Sequence, residues 1–137
     1  MIESTLLPDL ISIAARRTPQ AMALTYGSAS MSYEALDTAV KQFASGVLGL
    51  GLGRSERVAI YLEKRFETVI ASFGAPAAGG VFVPVNPLLK PDQVAFILRD
   101  CNVRVLVTSP ERLATMMDAL ADCPDLRHVI VTGAASS

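Results

Sequence analysis

The chain has 137 residues, enough for one ordinary domain that buries roughly two thirds of its unfolded surface. Twelve basic residues stand against thirteen acidic ones, giving a net charge of -1, and no run of Lys or Arg could neutralise a row of phosphates, so nucleic acid is excluded as a partner. Cys101 and Cys123 have no CxxC spacing and no neighbouring His, and Met-Ile-Glu-Ser-Thr does not open a secretory signal, so the expectation is a reduced, cytoplasmic chain without a metal site.

Leu7, Leu10, Ile11 and Ala14 share one helical face, and this first helix closes at Thr18-Pro19, because the residue before proline is pushed out of the α region. Ala23 to Tyr26 and Ser30-Met31 flank Gly27-Ser28 and read as a small hairpin. Ser32 can cap the next helix, which buries Leu36, Val40, Phe43, Ala44 and Val47 and ends at Gly51 and Gly53. Val58 to Leu62 follows as a strand. Phe66, Val69, Ile70, Phe73 and Ala77 then recur at helical spacing until Gly79-Gly80, with Pro76 predicting a bend near Ser72.

Val81 to Val85 is the next strand. Pro91 suits a first helical position, Val94, Ile97, Leu98 and Cys101 form that helix's apolar stripe, and Asn102 suits a left-handed stop. After a strand at Val103 to Val107, Ser109 and Pro110 open a last helix with Leu113, Met116, Met117 and Leu120 on its apolar face, ending at Cys123-Pro124. His128 to Thr132 is the final strand. Strands separated by helices of this length favour a parallel sheet with crossover connections, so the expected fold is α/β, a three-layer αβα (Rossmann-like) subdomain with a small amino-terminal β-hairpin. Thr68 to Leu89 carries no charge, but its prolines, its glycines and its change from helical to strand period argue for a buried helix and strand rather than a membrane span.

Few residues carry a chemical signature. Gly46, Gly49, Gly51 and Gly53 do not make GxGxxG, since Arg54 stands where the third glycine is required, and they precede a strand instead of following one; helix termination is their reading. No GK[ST] follows a glycine-rich loop, so no phosphate cradle of that type is present. His128, the single histidine, reads as structural. Glu63, Lys64, Arg65 and Glu67 cluster directly after a strand, either as a solvated turn or at the edge where open α/β sheets bind ligands. In Val83-Pro84-Val85-Asn86-Pro87 the prolines end the ladder and hold Asn86 extended, as a structural turn or as part of a pocket wall.

Four stretches taken together resemble the amino-terminal part of the adenylate-forming superfamily, and within it the fatty or aryl acyl-CoA ligases. Met31-Ser-Tyr33-Glu-Ala-Leu36 is similar to the family's "(T/S)YxEL" helix start, and Gly51-Leu-Gly53-Arg-Ser-Glu-Arg57-Val-Ala-Ile60 to its "GVxxGDRVAI". Ala78-Gly-Gly-Val-Phe-Val-Pro84-Val-Asn86-Pro87 is close to "AGAVxVPLNP", and Leu98-Arg-Asp100-Cys-Asn-Val-Arg-Val-Leu-Val107-Thr to "LxDSxAKVLxT". The stretch from Phe73 to Ser109 also resembles ligases associated with bacterial exopolysaccharide and exosortase gene sets. Pro76 and Ala77 depart from the family, which often has Leu and a basic residue there.

The resemblance implies a two-step reaction in the full-length enzyme, in which a carboxylate and ATP give an acyl-adenylate and pyrophosphate, and the coenzyme A thiol then displaces AMP. ATP, magnesium and coenzyme A are its implied cofactors. The phosphate loop ending in lysine, the magnesium carboxylate and the mobile-domain lysine that this chemistry needs are not found within 1–137. The expectation is therefore a single amino-terminal subdomain truncated before the nucleotide-binding loop, inactive alone and binding no cofactor. It would contain no catalytic residue, with Asn86 as candidate wall of the acyl or pantetheine channel. Its expected partner is the remainder of its own ligase chain, and the apolar surface left open should drive the isolated chain to a dimer. The alternatives are a free-standing α/β interaction module and, further off, a small flavodoxin-like cofactor binder.

Overall fold

The computed structural model describes residues 7–133. Helix α1 (Leu7–Arg17) leads into a hairpin of β1 (Met22–Tyr26) and β2 (Ala29–Ser32), and α2 (Tyr33–Gly49) then starts a regular alternation. That alternation runs through β3 (Arg57–Tyr61), α3 (Phe66–Ala77), β4 (Val81–Pro84), α4 (Pro91–Asp100), β5 (Val103–Thr108), α5 (Pro110–Leu120) and β6 (His128–Val131). Because a helix separates each strand from the next, β3 to β6 pair in parallel, in the order β4-β3-β5-β6, while β1 and β2 pair antiparallel.

The ends of these elements follow local chemistry. Ser32 and Ser109 each accept a backbone N–H three residues on, from Ala35 and Arg112, both at 3.2 Å, satisfying one of the amides a helix leaves without a partner. Gly51 (φ 91) and Gly79 (φ 84) end α2 and α3 in left-handed conformation. There the amides of Leu52 and Gly80 reach back to Val47 O and Ala75 O at 3.1 and 2.9 Å, a closure that needs a residue free of the Cβ clash. Asn102, after α4, also takes the left-handed conformation, with φ 51, and its amide reaches Arg99 O at 3.1 Å.

The sheet separates two apolar layers. Val58 and Ile60 of β3, with Val105 and Val107 of β5, face Val47 of α2 and Ala71 and Ala75 of α3. Ala59 and Tyr61, with Val103 and Leu106, face Val94, Ala95 and Leu98 of α4 and Met116 of α5. Both Val103 and Leu106 reach the second layer because β5 carries one extra residue: Arg57 pairs with Val103 but Val58 with Val105, leaving Arg104 as a bulge. A third cluster joins Ile11, Leu36 and Val40 with Leu24, Val69 and Phe73, seating α1 and the hairpin on the outside of α2 and α3. The expected αβα arrangement with its small hairpin is thus the observed one.

Two details differ from the sequence expectation, the buried faces of α3 and of α5. The most buried face of α3 is not the line of large residues but Ala71, Gly74 and Ala75; the large Val69, Ile70 and Phe73 turn to the third cluster. Small residues line the buried face because α2 and α3 lie so close that a Cβ on Gly74 would collide with Phe43. Pro76 falls in the last turn of α3, which runs unbroken from Phe66 to Ala77, so its missing N–H leaves only the carbonyl of Ser72 without a helical donor. Met117 is 61% exposed, and Ala119 and Cys123 take the buried positions of α5 and its exit.

Candidate functional site

Three loops leave the carboxyl ends of β3, β4 and β5 at one edge of the sheet, and one side chain ties them together. Arg112, in the first turn of α5, holds Glu63 Oε2 through Nε at 3.1 Å and donates through Nη1 to Pro87 O at 2.9 Å. Its guanidinium carbon also stands 4.6 Å from the centre of the Tyr61 ring, in cation–π range. Tyr61 in turn donates its hydroxyl to Leu89 O at 2.8 Å, and buried Thr108 donates to Tyr61 O at 2.8 Å. Beside this brace lies an open groove of about 560 Å³ lined by Tyr61, Glu63, Leu89, Lys90, Ser109 and Arg112.

The charged cluster read after β3 is present and ordered. Arg65 pairs with Glu63 at 3.1 Å and with Glu67 at 3.4 Å, and Thr68 Oγ1 donates to Glu63 O at 2.7 Å. The Glu63 carboxyl is held below its ordinary range, first by its own backbone N–H, then, against some loss of hydration, by Arg112 and Arg65. Lys64 turns away to an apolar hollow that it lines with Tyr26 and Phe66.

Asn86 lies exposed in the β4–α4 loop at this edge, next to Pro87. Its Oδ1 accepts the Leu88 amide at 2.9 Å and its carbonyl accepts the Leu89 amide at 3.1 Å, a turn closed by its own side chain. The turn leaves Leu88 88% exposed at its tip.

The opposite, amino edge holds the other residues singled out. Gly51 caps α2 and Gly53 leads into β3, so the glycine run ends a helix at the edge away from the groove. His128 opens β6 at that same edge, half-buried opposite Val105. Glu56 accepts the Gly53 amide at 2.7 Å and Arg104 Nε at 3.0 Å, and these contacts, the amide first, hold its carboxyl below the ordinary range.

ATP and magnesium do not fit the described residues. The loops after β3, β4 and β5 contain no glycine, the Ser109 hydroxyl is engaged as a helix cap, and no group of three or more His, Cys, Asp or Glu there could hold a metal ion. What the carboxyl edge offers instead is a rigid wall.

Arg112 itself escaped the sequence reading. Its signal was a cation in the first turn of a helix, where the macrodipole favours anions; such a side chain needs another reason to be there.

A parallel αβα platform with its loops braced at the carboxyl edge places the chain among α/β enzymes whose ligands lie at that edge. Within that class, the chain belongs to the AMP-binding enzyme family, whose model matches residues 11–136, and its relatives are adenylate-forming synthetases and ligases. It is 34% identical over 116 residues to N-(5-amino-5-carboxypentanoyl)-L-cysteinyl-D-valine synthase of Streptomyces clavuligerus, covering 83% of this chain and 14% of that one. It is 36% identical over 114 residues to the phosphinothricin tripeptide synthetase PhsB of Streptomyces viridochromogenes, covering 82% of this chain and 10% of the relative. Among solved structures, the anthranilate CoA ligase AuaEII in complex with anthranoyl-AMP matches with a TM-score of 0.91 at 27% identity, covering 100% of this chain and 27% of its own. The chain therefore spans a seventh or less of those curated relatives and about a quarter of that ligase.

Proposed function

We propose that this chain is the amino-terminal platform of an AMP-forming acyl-CoA ligase acting in the cytoplasm, with the nucleotide-binding machinery supplied by further sequence of the same polypeptide. The whole enzyme would join a carboxylate to AMP with release of pyrophosphate, then pass the acyl group to the thiol of coenzyme A with release of AMP. The observation that carries this reading is the match of the entire chain to an aryl-CoA ligase at a TM-score of 0.91. Within such an enzyme, the Arg112 brace fixes the β4–α4 loop, and Asn86 on that loop forms part of the acyl or pantetheine channel. Membership of an enzyme family weighs against a free-standing interaction module.

A second reading, an amino-acid-activating unit of a peptide synthetase, is favoured by the 34% and 36% identities to two such synthetases. The two differ in the acceptor thiol. A polypeptide that extends these 137 residues through the nucleotide-binding loop and mobile domain should show carboxylate-dependent exchange of pyrophosphate into ATP and then form acyl-CoA. Exchange with amino acids only, and no transfer to coenzyme A, would establish the second reading instead. The 137-residue chain alone should bind no ATP with magnesium in calorimetry, and micromolar binding would contradict the placement of the nucleotide site outside it.

A further inference from the structure

The amino edge of the sheet gathers four of the chain's twelve basic residues, Arg54, Arg57, Arg104 and Arg127. Two carboxylates oppose them, and both are already engaged. Glu56 takes the Gly53 amide on Oε1 at 2.7 Å, and on Oε2 Arg104 at 3.0 Å and Arg127 at 3.7 Å. Asp125 takes Arg104 Nη1 at 3.3 Å and Asn102 Nδ2 at 2.9 Å. Arg57 uses one nitrogen, Nη1, on Cys101 O at 2.8 Å, and Arg54 makes no hydrogen bond or ion pair among the described residues. The result is a local excess of two positive charges in a chain whose net charge is -1.

A small hollow of about 160 Å³ lies here, with Arg54, Arg57 and Arg104 in its wall beside Ser55, Asn102 and the engaged Glu56 carboxylate, so three guanidinium groups face one carboxylate. The hollow has room for one tetrahedral oxyanion but not for a nucleotide. Planar guanidinium forks with unused N–H groups suit the oxygens of such an anion, and its double charge matches the local excess. We propose that this hollow is a binding site for a single phosphate group, free or as a small phosphate ester, on the edge of the sheet opposite the Arg112 groove. The site involves no residue of the proposed acyl channel.

Titration of the 137-residue chain with inorganic phosphate, followed by amide chemical shifts, tests the assignment. Shifts at residues 53–57 and 101–104 should saturate with a dissociation constant on the order of 1 mM or below. Added salt should weaken the binding, since the site is partly exposed. Arg54→Ala, which removes no hydrogen bond or ion pair of the described residues, should weaken it about tenfold, with the melting temperature unchanged. Arg17→Ala, in α1, should leave it as it was. Glycerol 3-phosphate in a parallel titration separates the sources: tighter binding than phosphate identifies an ester as the ligand, equal binding a free anion. Shifts that do not saturate by about 50 mM, or that titrate in Arg54→Ala with the wild-type dissociation constant, overturn the proposal.

Discussion

Gly74→Ala tests the packing of α2 against α3 in a single atom. An alanine Cβ at this position would meet Phe43 at three side-chain atoms, with Cγ at 3.0 Å and Cβ at 3.1 Å and Cδ1 closer still. Swinging the ring about χ1 moves Cγ and Cδ1 but not Cβ, which stays at 3.1 Å unless the backbone shifts, so the clash is relieved only in part. Overpacking of this kind costs about 1–3 kcal/mol, and the better helix propensity of alanine returns about 1 kcal/mol of that. The net expectation is a destabilisation of about 1 kcal/mol, the middle of the range these two figures leave, and a fall in melting temperature of about 4 °C for a chain of this length. Urea denaturation of wild type, Gly74→Ala, Phe43→Leu and the double variant completes a cycle. Removing part of the Phe43 ring should recover at least about 0.5 kcal/mol of the loss as a coupling term. A Gly74→Ala protein as stable as wild type would mean that the helices can part at no cost, and the explanation for the small-residue face of α3 would fall.

Further expectations concern charge, the brace and assembly. Glu56 has a folded pKa below its ordinary value, so its stabilisation is complete above the ordinary carboxylate range and disappears as pH falls through the lowered value. The gap in urea midpoint between wild type and Glu56→Gln should be constant near neutrality and close below about pH 4; a gap that widens in acid contradicts the assigned contacts. Arg112→Ala removes two hydrogen bonds and a ring contact and should cost about 1–2 kcal/mol, with faster hydrogen exchange at residues 86–90. Arg112→Lys should restore less than half of that protection, because an ammonium cannot span Glu63 and Pro87 as a fork does; full restoration refutes the brace. The isolated chain should scatter light as a dimer or larger species, given exposed Leu10, Met22, Phe96 and Met117, and a clean monomer at high concentration would refute this.

The elements were legible in the sequence because each carries its own punctuation. Ser32 and Ser109 before periodic runs, Gly51, Gly79 and Asn102 after them, and prolines at Pro19, Pro91 and Pro110 mark boundaries without any knowledge of tertiary structure. Which face of α3 lies deepest was not legible, because hydrophobicity ranks Phe73 above Gly74, whereas the narrow gap to Phe43 admits only the smaller residue. The site was half legible. Glu63 and Arg65 follow a strand and could be placed at the carboxyl edge, but Arg112 reaches Glu63 across 49 residues of sequence, and no local pattern reports such a contact. Asn86 was read as held in one direction by its prolines; that its oxygen would close its own turn depends on Leu88 folding back, which the spacing does not state.

The odd residue in β5 makes that strand two strands in phase. Before Arg104 the alternation belongs to one layer and after it to the other, so Val103 and Leu106 are allies although three positions apart. Loss of Arg104 alone would leave every other residue of β5 where it is, Val103 included, because Val103 and Val105 would then simply alternate as Arg57 and Val58 do beside them. Loss of a residue further on would instead exchange the inhabitants of the two layers for part of the strand. A change in length is therefore survivable at this one point of β5, and an alignment that places a gap anywhere else in the strand misassigns which core each residue serves.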